Sequence, residues 1–152
     1  MDNYEICRDA MRGIILGDND DAARQHRRLD AEGRRLHDVM LTMMFAAGLQ
    51  AQFGTESLDL TALQTFARQL HHEHAGTEPP VRQLDVEALV RGTLGEEHFL
   101  DHLDWDTEEH LQRLAIRKIY LESDHMQQHL KDYLSDVEKI ARHWVATEGL
   151  PE

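Results

Sequence analysis

The stretch DTEEHLQRLAIRKIYLESDHMQQHLKDYLSDVEKIARHWVAT, residues 106–147, decides the fold because it has the pattern of one long amphipathic helix. Apolar residues recur along it mostly at steps of three and four, which places side chains on one face of a helix. These residues are Leu111, Leu114, Ala115, Ile119, Met126, Leu130, Tyr133, Val137, Ile140 and Trp144. No proline interrupts them, so the stretch predicts one helix from Asp106 to Thr147.

Both ends of this helix carry capping signals. Asp106 followed by Glu109 matches a capping box, and Gly149 with Pro151 supplies a stop. A helix of about forty residues would be a rod of roughly 60 Å at about 1.5 Å per residue. A compact domain of this size has a radius of gyration of about 15 Å. The predicted rod must therefore bend, protrude or pair with a second copy.

The beginning of the chain predicts two more helices joined by a tight turn. A helix over residues 3–16 ends at Gly17, and Asp18 begins the next helix. This second helix extends over about residues 20–52. Gly33 weakens its middle by roughly 1 kcal/mol relative to alanine, so a bend is expected there.

Shorter helices are predicted between the two long ones. One starts near Asp59, one is capped by Asp85, and one spans residues 96–105. Alternation of period two, the signature of a half-buried strand, is not sustained anywhere in the sequence. The sequence thus predicts one all-α domain over residues 1–152, a helical bundle without significant sheet whose two long helices cover about residues 20–52 and 106–147.

The charge of the chain bears on its partners. The formal net charge is −13, from 16 basic and 29 acidic side chains. Residues 1–50 carry seven basic and nine acidic groups, so most of the excess lies in the second part. Duplex DNA or an anionic membrane would repel such a chain, and nucleic-acid or membrane binding is not expected.

Cysteine content and hydropathy indicate a compartment. Cys7 is the single cysteine, which excludes an intramolecular disulfide, and its place beside Tyr4 and Met11 on one helix face predicts a core residue. No signal-peptide pattern is present, and the apolar run 39–49 is shorter than the roughly 20 residues that span a bilayer. A cytoplasmic protein is expected.

Histidine is unusually frequent, with eleven residues, and its spacing suggests a metal site. His98 and His102 are four residues apart, as are His125 and His129, and such pairs share a helix face. Glu122 precedes His125 by three residues, an arrangement that carboxylate-bridged di-iron bundles use, and it falls on the apolar stripe. The five residues predict a site for a transition metal such as iron, manganese or zinc.

A structural interpretation of the same residues stays open. Four-apart pairs arise by chance among eleven histidines in a helical chain. Glu122 could lie at the edge of the stripe with its carboxylate in water, or face Lys118 one turn earlier.

A second set of histidines follows a family pattern. Residues 25–40 carry His26, Leu29, Leu36 and His37. His-x-x-x-Glu follows at His74 and Glu78, and then His-x-x-x-His at His98 and His102.

This order resembles hemerythrin-type bundles. The resemblance implies that these histidines and the glutamate ligate a non-haem di-iron centre that binds oxygen. The last helix departs from the family pattern, because neither His125 nor His129 has a carboxylate five residues later.

A basic zone lies on the second predicted helix. It could be a solvated face, or it could dock against the acidic part of a second copy or hold an anionic ligand. Its residues are Arg24, Arg27, Arg28, Arg34 and Arg35.

Catalytic motifs are weak. Ser57 lacks a strand-turn-helix context, and no glycine-rich phosphate loop is present. We therefore expect a non-enzymatic helical interaction or regulatory module that forms a homodimer and presents charged helix surfaces to a protein partner. The alternative function is a metal-binding bundle. Methionines 40, 43, 44 and 126 could line a ligand groove, although core packing explains them equally.

Overall fold

The protein is an all-α bundle in a computed structural model that describes residues 2–148. Its α-helices are α1 (Asn3–Leu16), α2 (Asn19–Arg27), α3 (Ala31–Phe53), α4 (Leu60–Glu73), α5 (Gln83–Thr93), α6 (Trp105–Glu122), α7 (Asp124–Gln128) and α8 (Leu130–Glu148). A 3₁₀ helix, Glu97–His102, lies between α5 and α6. No strand occurs within residues 2–148, which confirms the predicted fold class. No helix in this range is both long and apolar enough to cross a bilayer.

The first helix has the predicted bounds. The Asp2 carboxylate accepts the Glu5 N–H at its start, and Gly17 ends it with a φ of 80°. This left-handed conformation suits glycine, which has no Cβ to clash. Asp18 then caps α2 by accepting the Asp21 N–H, so the predicted tight turn is confirmed.

The prediction of one helix over residues 20–52 is wrong. The chain breaks between α2 and α3, because the Asp30 carboxylate accepts the Gly33 N–H at 2.7 Å and starts a new helix. The break also brings Leu29 into the core. Gly33 thus marks the first turn of α3 rather than the middle of a longer helix.

The prediction of one helix from Asp106 to Thr147 is also wrong. Ser123 is extended, with a ψ of 107°, and its hydroxyl caps α7 by accepting the Met126 N–H. α7 ends at Gln128, with His129 as its C-cap, and α8 then packs against α1 and α3. The bent chain is favoured over a straight rod because bending buries Met126 completely and returns α8 to the core.

The start of the helix predicted from Asp106 differs from the prediction. α6 begins at Trp105 because Asp104, rather than Asp106, accepts the Thr107 N–H. The stop predicted from Gly149 and Pro151 lies outside the described residues.

The short elements agree in part. α4 begins after Asp59, as predicted. α5 begins at Gln83 without a side-chain cap, so Asp85 lies inside it rather than before it. The helix predicted over residues 96–105 is the shorter 3₁₀ helix, and Leu100 from that helix packs directly against Gly92 of α5.

The buried apolar side chains form one core cluster, and α3 lies at its centre. α3 contacts α1, α6, α7 and α8, and its residues Met40, Leu41, Met44, Phe45 and Leu49 are fully buried. One face of α3 remains open to the surface, and two cavities lie along it.

Candidate binding groove and acidic pocket

The first cavity is a groove of about 460 Å³ between the N-terminal half of α3, the start of α6 and the end of α8. We call it the tryptophan groove, because a tryptophan from α6 and another from α8 meet there. Its walls are mostly apolar, with one basic and one acidic side chain. Its lining residues are Arg35, Asp38, Val39, Thr42, Met43, Trp105 and Trp144.

The two tryptophans lie near the ends of their helices. Trp105 is the first residue of α6, where the Asp104 cap holds it at the surface, and it is 38% exposed. Trp144 lies in the last turns of α8, which reach the groove only because the chain bends at Ser123. Ile140 lies one turn before Trp144 and is 57% exposed, so the apolar surface continues along α8.

Of the four methionines predicted to line a ligand groove, one lines the tryptophan groove. Met43 is half-buried and lines the tryptophan groove. Met40, Met44 and Met126 are fully buried in the core. The sequence placed Trp144 on the apolar stripe of the last helix, and only the fold brings Trp105 to the same groove.

The second cavity, of about 580 Å³, lies among α3, α5, the 3₁₀ helix and α6, and shares Thr42 and Met43 with the groove. We call it the acidic pocket, because its charged lining residues are Glu97, Asp101 and Glu108. Leu89, Leu100 and other apolar residues form its remaining walls.

Two groups in the acidic pocket have unusual surroundings. Gln112 is only 2% exposed; its Nε2 donates to the Thr42 hydroxyl at 3.3 Å, while its Oε1 accepts no hydrogen bond from residues 2–148. Burial raises the pKa of the Glu108 carboxyl, and the nearby Asp104 carboxylate adds to the effect. Sequence reasoning missed Gln112, although it is a polar residue spaced with Ile116 and Ile119 on a buried helix face.

The predicted metal ligands do not meet in one place. His98 and His102 lie exposed on the 3₁₀ helix. The Glu122 carboxylate is partly exposed and lies 3.3 Å from the Lys118 ammonium, which matches the structural interpretation of this residue. His125 and His129 contact each other, with ring centroids 4.6 Å apart.

The His125–His129 pair borders a small surface cavity with Asp132, Tyr133 and Asp136. The His125 ring lies 3.0 Å from the Tyr133 hydroxyl, and His129 pairs with Asp132 at 3.5 Å. Within residues 2–148 no group of three or more histidine, cysteine, aspartate or glutamate side chains has the geometry of a metal site. Metal binding by the five residues stays a prediction.

The residues of the hemerythrin-type pattern are likewise dispersed, except for one pair. The His26 and His37 rings pack edge to face with centroids 5.0 Å apart. His37 is completely buried, and neither ring nitrogen has a hydrogen-bond partner within the described chain. Burial, His37 and Arg113 lower the pKa of His26, while Glu109 and Asp38 oppose the shift.

A second pair of histidines lies near the end of α4. His74 lies close enough to His110 of α6 to affect its titration. Burial and His74 lower the pKa of His110, although a hydrogen bond to the Pro79 carbonyl opposes the shift. The Nε2 atom of His110 is buried without a partner among residues 2–148.

Acidification from about pH 7.5 to about 5.5, across the ordinary histidine pKa, is expected to lower the melting temperature. The lowered pKa values of His26 and His110 mean that the unfolded chain binds protons more tightly than the folded chain. Stability is therefore present above the ordinary pKa and is lost as the pH falls below it. Thermal unfolding followed by circular dichroism measures the shift.

A matched control is the double variant His26→Gln, His110→Gln, which should lose most of this pH dependence. A melting temperature that rises on acidification would contradict the assignment.

The arginines of the basic zone are all exposed. Arg24 pairs with Asp21, and Arg28 donates to the Gln25 side chain at 2.8 Å. Arg35 lines the tryptophan groove, and its side chain makes no ion pair or hydrogen bond with the described part of the chain. The structure therefore connects one residue of the zone, Arg35, with a cavity.

Compared with known proteins, the chain matches no family model, no curated protein and no solved structure.

Proposed function

We propose that this chain is a cytoplasmic, non-enzymatic helical interaction module that forms a homodimer across the tryptophan groove. The observation that carries the proposal is the meeting of Trp105 and Trp144 in one apolar groove. The groove lies on the surface of a chain in which 30% of the residues are charged. An apolar groove on such a surface is characteristic of a binding site.

Tryptophan supports an interface role for physical reasons. A large aromatic side chain removes much apolar area from water when it is covered, and it loses little conformational entropy. Tryptophan is accordingly enriched among the residues that dominate binding energy. Trp105 and Ile140 both leave substantial apolar area exposed in the single chain, which a second copy would cover.

The charges of the groove favour a second copy as its occupant. Arg35 and Asp38 lie three residues apart on α3, and both line the groove. A two-fold axis that passes between these two side chains would place Arg35 of one subunit opposite Asp38 of the partner subunit, and the reverse pair would form by symmetry. The groove is therefore complementary to itself in charge as well as apolar on its walls.

The rim charges and the tryptophans contribute differently. Exposed ion pairs give only about 0–1 kcal/mol each, so they set the orientation of the two copies rather than their affinity. The covered aromatic and aliphatic side chains supply most of the binding energy. The other arginines of the basic zone reduce the repulsion between two chains of net charge −13 where they approach the acidic part of the partner.

Sedimentation equilibrium at several concentrations measures the proposed association. We expect the purified, tag-free chain to approach twice its mass of 17.6 kDa. Trp144→Ala should weaken association by about thirtyfold, corresponding to a loss of roughly 2 kcal/mol at an interface anchor. Leu84→Ala, at an apolar residue on α5 that is 77% exposed and outside the groove, should leave the mass unchanged.

Charge exchange gives a sharper measurement of the two-fold arrangement. Arg35→Asp alone places carboxylates opposite each other, and Asp38→Arg alone places guanidinium groups opposite each other. Both should weaken the dimer, whereas the double exchange should restore it. A mass that stays at one chain at every concentration would overturn the proposal, and equal effects of the single and double exchanges would overturn the two-fold arrangement.

A further inference from the structure

We infer that the acidic pocket is a binding site for a small primary alkylammonium ion. This inference does not rest on the homodimer. It stands on the charge of the pocket, an unpaired buried acceptor and the apolar walls.

The negative charge of the pocket favours a cation as its ligand. Glu97, Asp101 and Glu108 line the cavity, and no basic side chain among residues 2–148 does so. Glu108 is half-buried, so its carboxylate has lost part of its hydration without gaining an ion pair among the described side chains. A cation beside Glu108 would offset that loss.

Gln112 supplies an independent observation. It is buried and lines the same cavity, and its amide is oriented by the hydrogen bond from Nε2 to Thr42. The Oε1 atom is left without a donor in the described chain. A buried carbonyl oxygen can be satisfied only by a donor, and an ammonium group carries three donors and no acceptor.

The walls distinguish an organic cation from a metal ion. Met43, Leu89 and Leu100 contribute apolar surface that would cover an alkyl chain. The carboxylates of the pocket belong to no group with metal-site geometry within residues 2–148. A cavity of about 580 Å³ has ample room for a ligand with an alkyl chain of several carbons.

Isothermal titration with hexylammonium chloride is the experiment, with 1-hexanol and sodium hexanoate as ligands of similar length. The ammonium should bind in a one-to-one complex and more tightly than the neutral alcohol, and the carboxylate should bind most weakly. Added salt should weaken the ammonium complex, because it screens the attraction to the carboxylates.

Two variants assign the complex to the pocket. Glu108→Gln should weaken hexylammonium binding by about tenfold or more, because it removes the half-buried negative charge. Gln112→Leu should weaken it by about tenfold through loss of the acceptor, without lowering the melting temperature. Glu32→Gln, an exposed glutamate in the first turn of α3 and outside the pocket, is the control and should bind as the unchanged chain does.

The inference would be overturned if hexanol bound as tightly as hexylammonium, or if hexylammonium binding survived both pocket substitutions. Circular dichroism of each variant confirms that its fold is retained. These outcomes are separate from those for the homodimer, which are read from mass rather than from heat of binding.

Discussion

Phe45→Ala is expected to lower the free energy of unfolding by about 3–5 kcal/mol, the usual cost of removing a fully buried aromatic side chain. Phe45 is among the largest completely buried side chains and lies in the middle of α3. α3 contacts α1, α6 and α8, so the loss would loosen the packing among several elements. The cost combines lost transfer energy with the cavity that remains, because tightly packed neighbours relax only in part.

Urea denaturation followed by circular dichroism measures the effect on stability. Leu84→Ala is the control, since this side chain is mostly exposed and its loss should change the free energy of unfolding by less than about 0.5 kcal/mol. A loss below about 1 kcal/mol for Phe45→Ala would show that α3 is not the centre of the core.

His37→Leu is expected to raise the free energy of unfolding by about 1–3 kcal/mol, which is the usual penalty for a buried polar group that makes no hydrogen bond. His37 has no exposed surface, and neither ring nitrogen has a hydrogen-bond partner in the described structure. Leucine is close to histidine in volume, and it carries no polar atom that needs a partner. A substitution that nearly conserves volume should be accepted at this buried position of α3 with little rearrangement.

The same substitution distinguishes a structural histidine from a ligand. Elemental analysis for iron, manganese and zinc is made on the same preparations, with the absorption spectrum. If His37 holds a metal, His37→Leu should remove that metal and lower stability instead of raising it. His143→Leu, at an exposed histidine of α8 that is not among the predicted ligands, is the control and should leave metal content and stability nearly unchanged.

The sequence by itself determined the fold class and the helix starts that depend on local chemistry. Helical spacing of apolar residues and the absence of strand alternation suffice for an all-α chain, since both are properties of neighbouring residues. The bounds of α1, the left-handed Gly17 and the start of α4 after Asp59 were predictable for the same reason. Each depends on contacts within a few residues of the chain.

The two breaks were visible as capping residues but could not be placed from the sequence. Asp30 and Ser123 are good caps, yet aspartate and serine also occur inside helices, where they face solvent. Each break became favourable only because tertiary packing could bury an adjacent apolar residue, Leu29 in one case and Met126 in the other. The gain from burial decided between a continuous helix and a bent one.

The candidate sites belong wholly to the tertiary structure. Trp105 and Trp144 are far apart in sequence, and they meet because the bend at Ser123 returns α8 to α3. Gln112 is buried, with its Oε1 left without a hydrogen-bond partner among the described residues, because α6 packs against α3. Local patterns therefore determined where helices form, whereas the meeting of residues distant in sequence depended on packing, which minimises exposed apolar area across the whole chain.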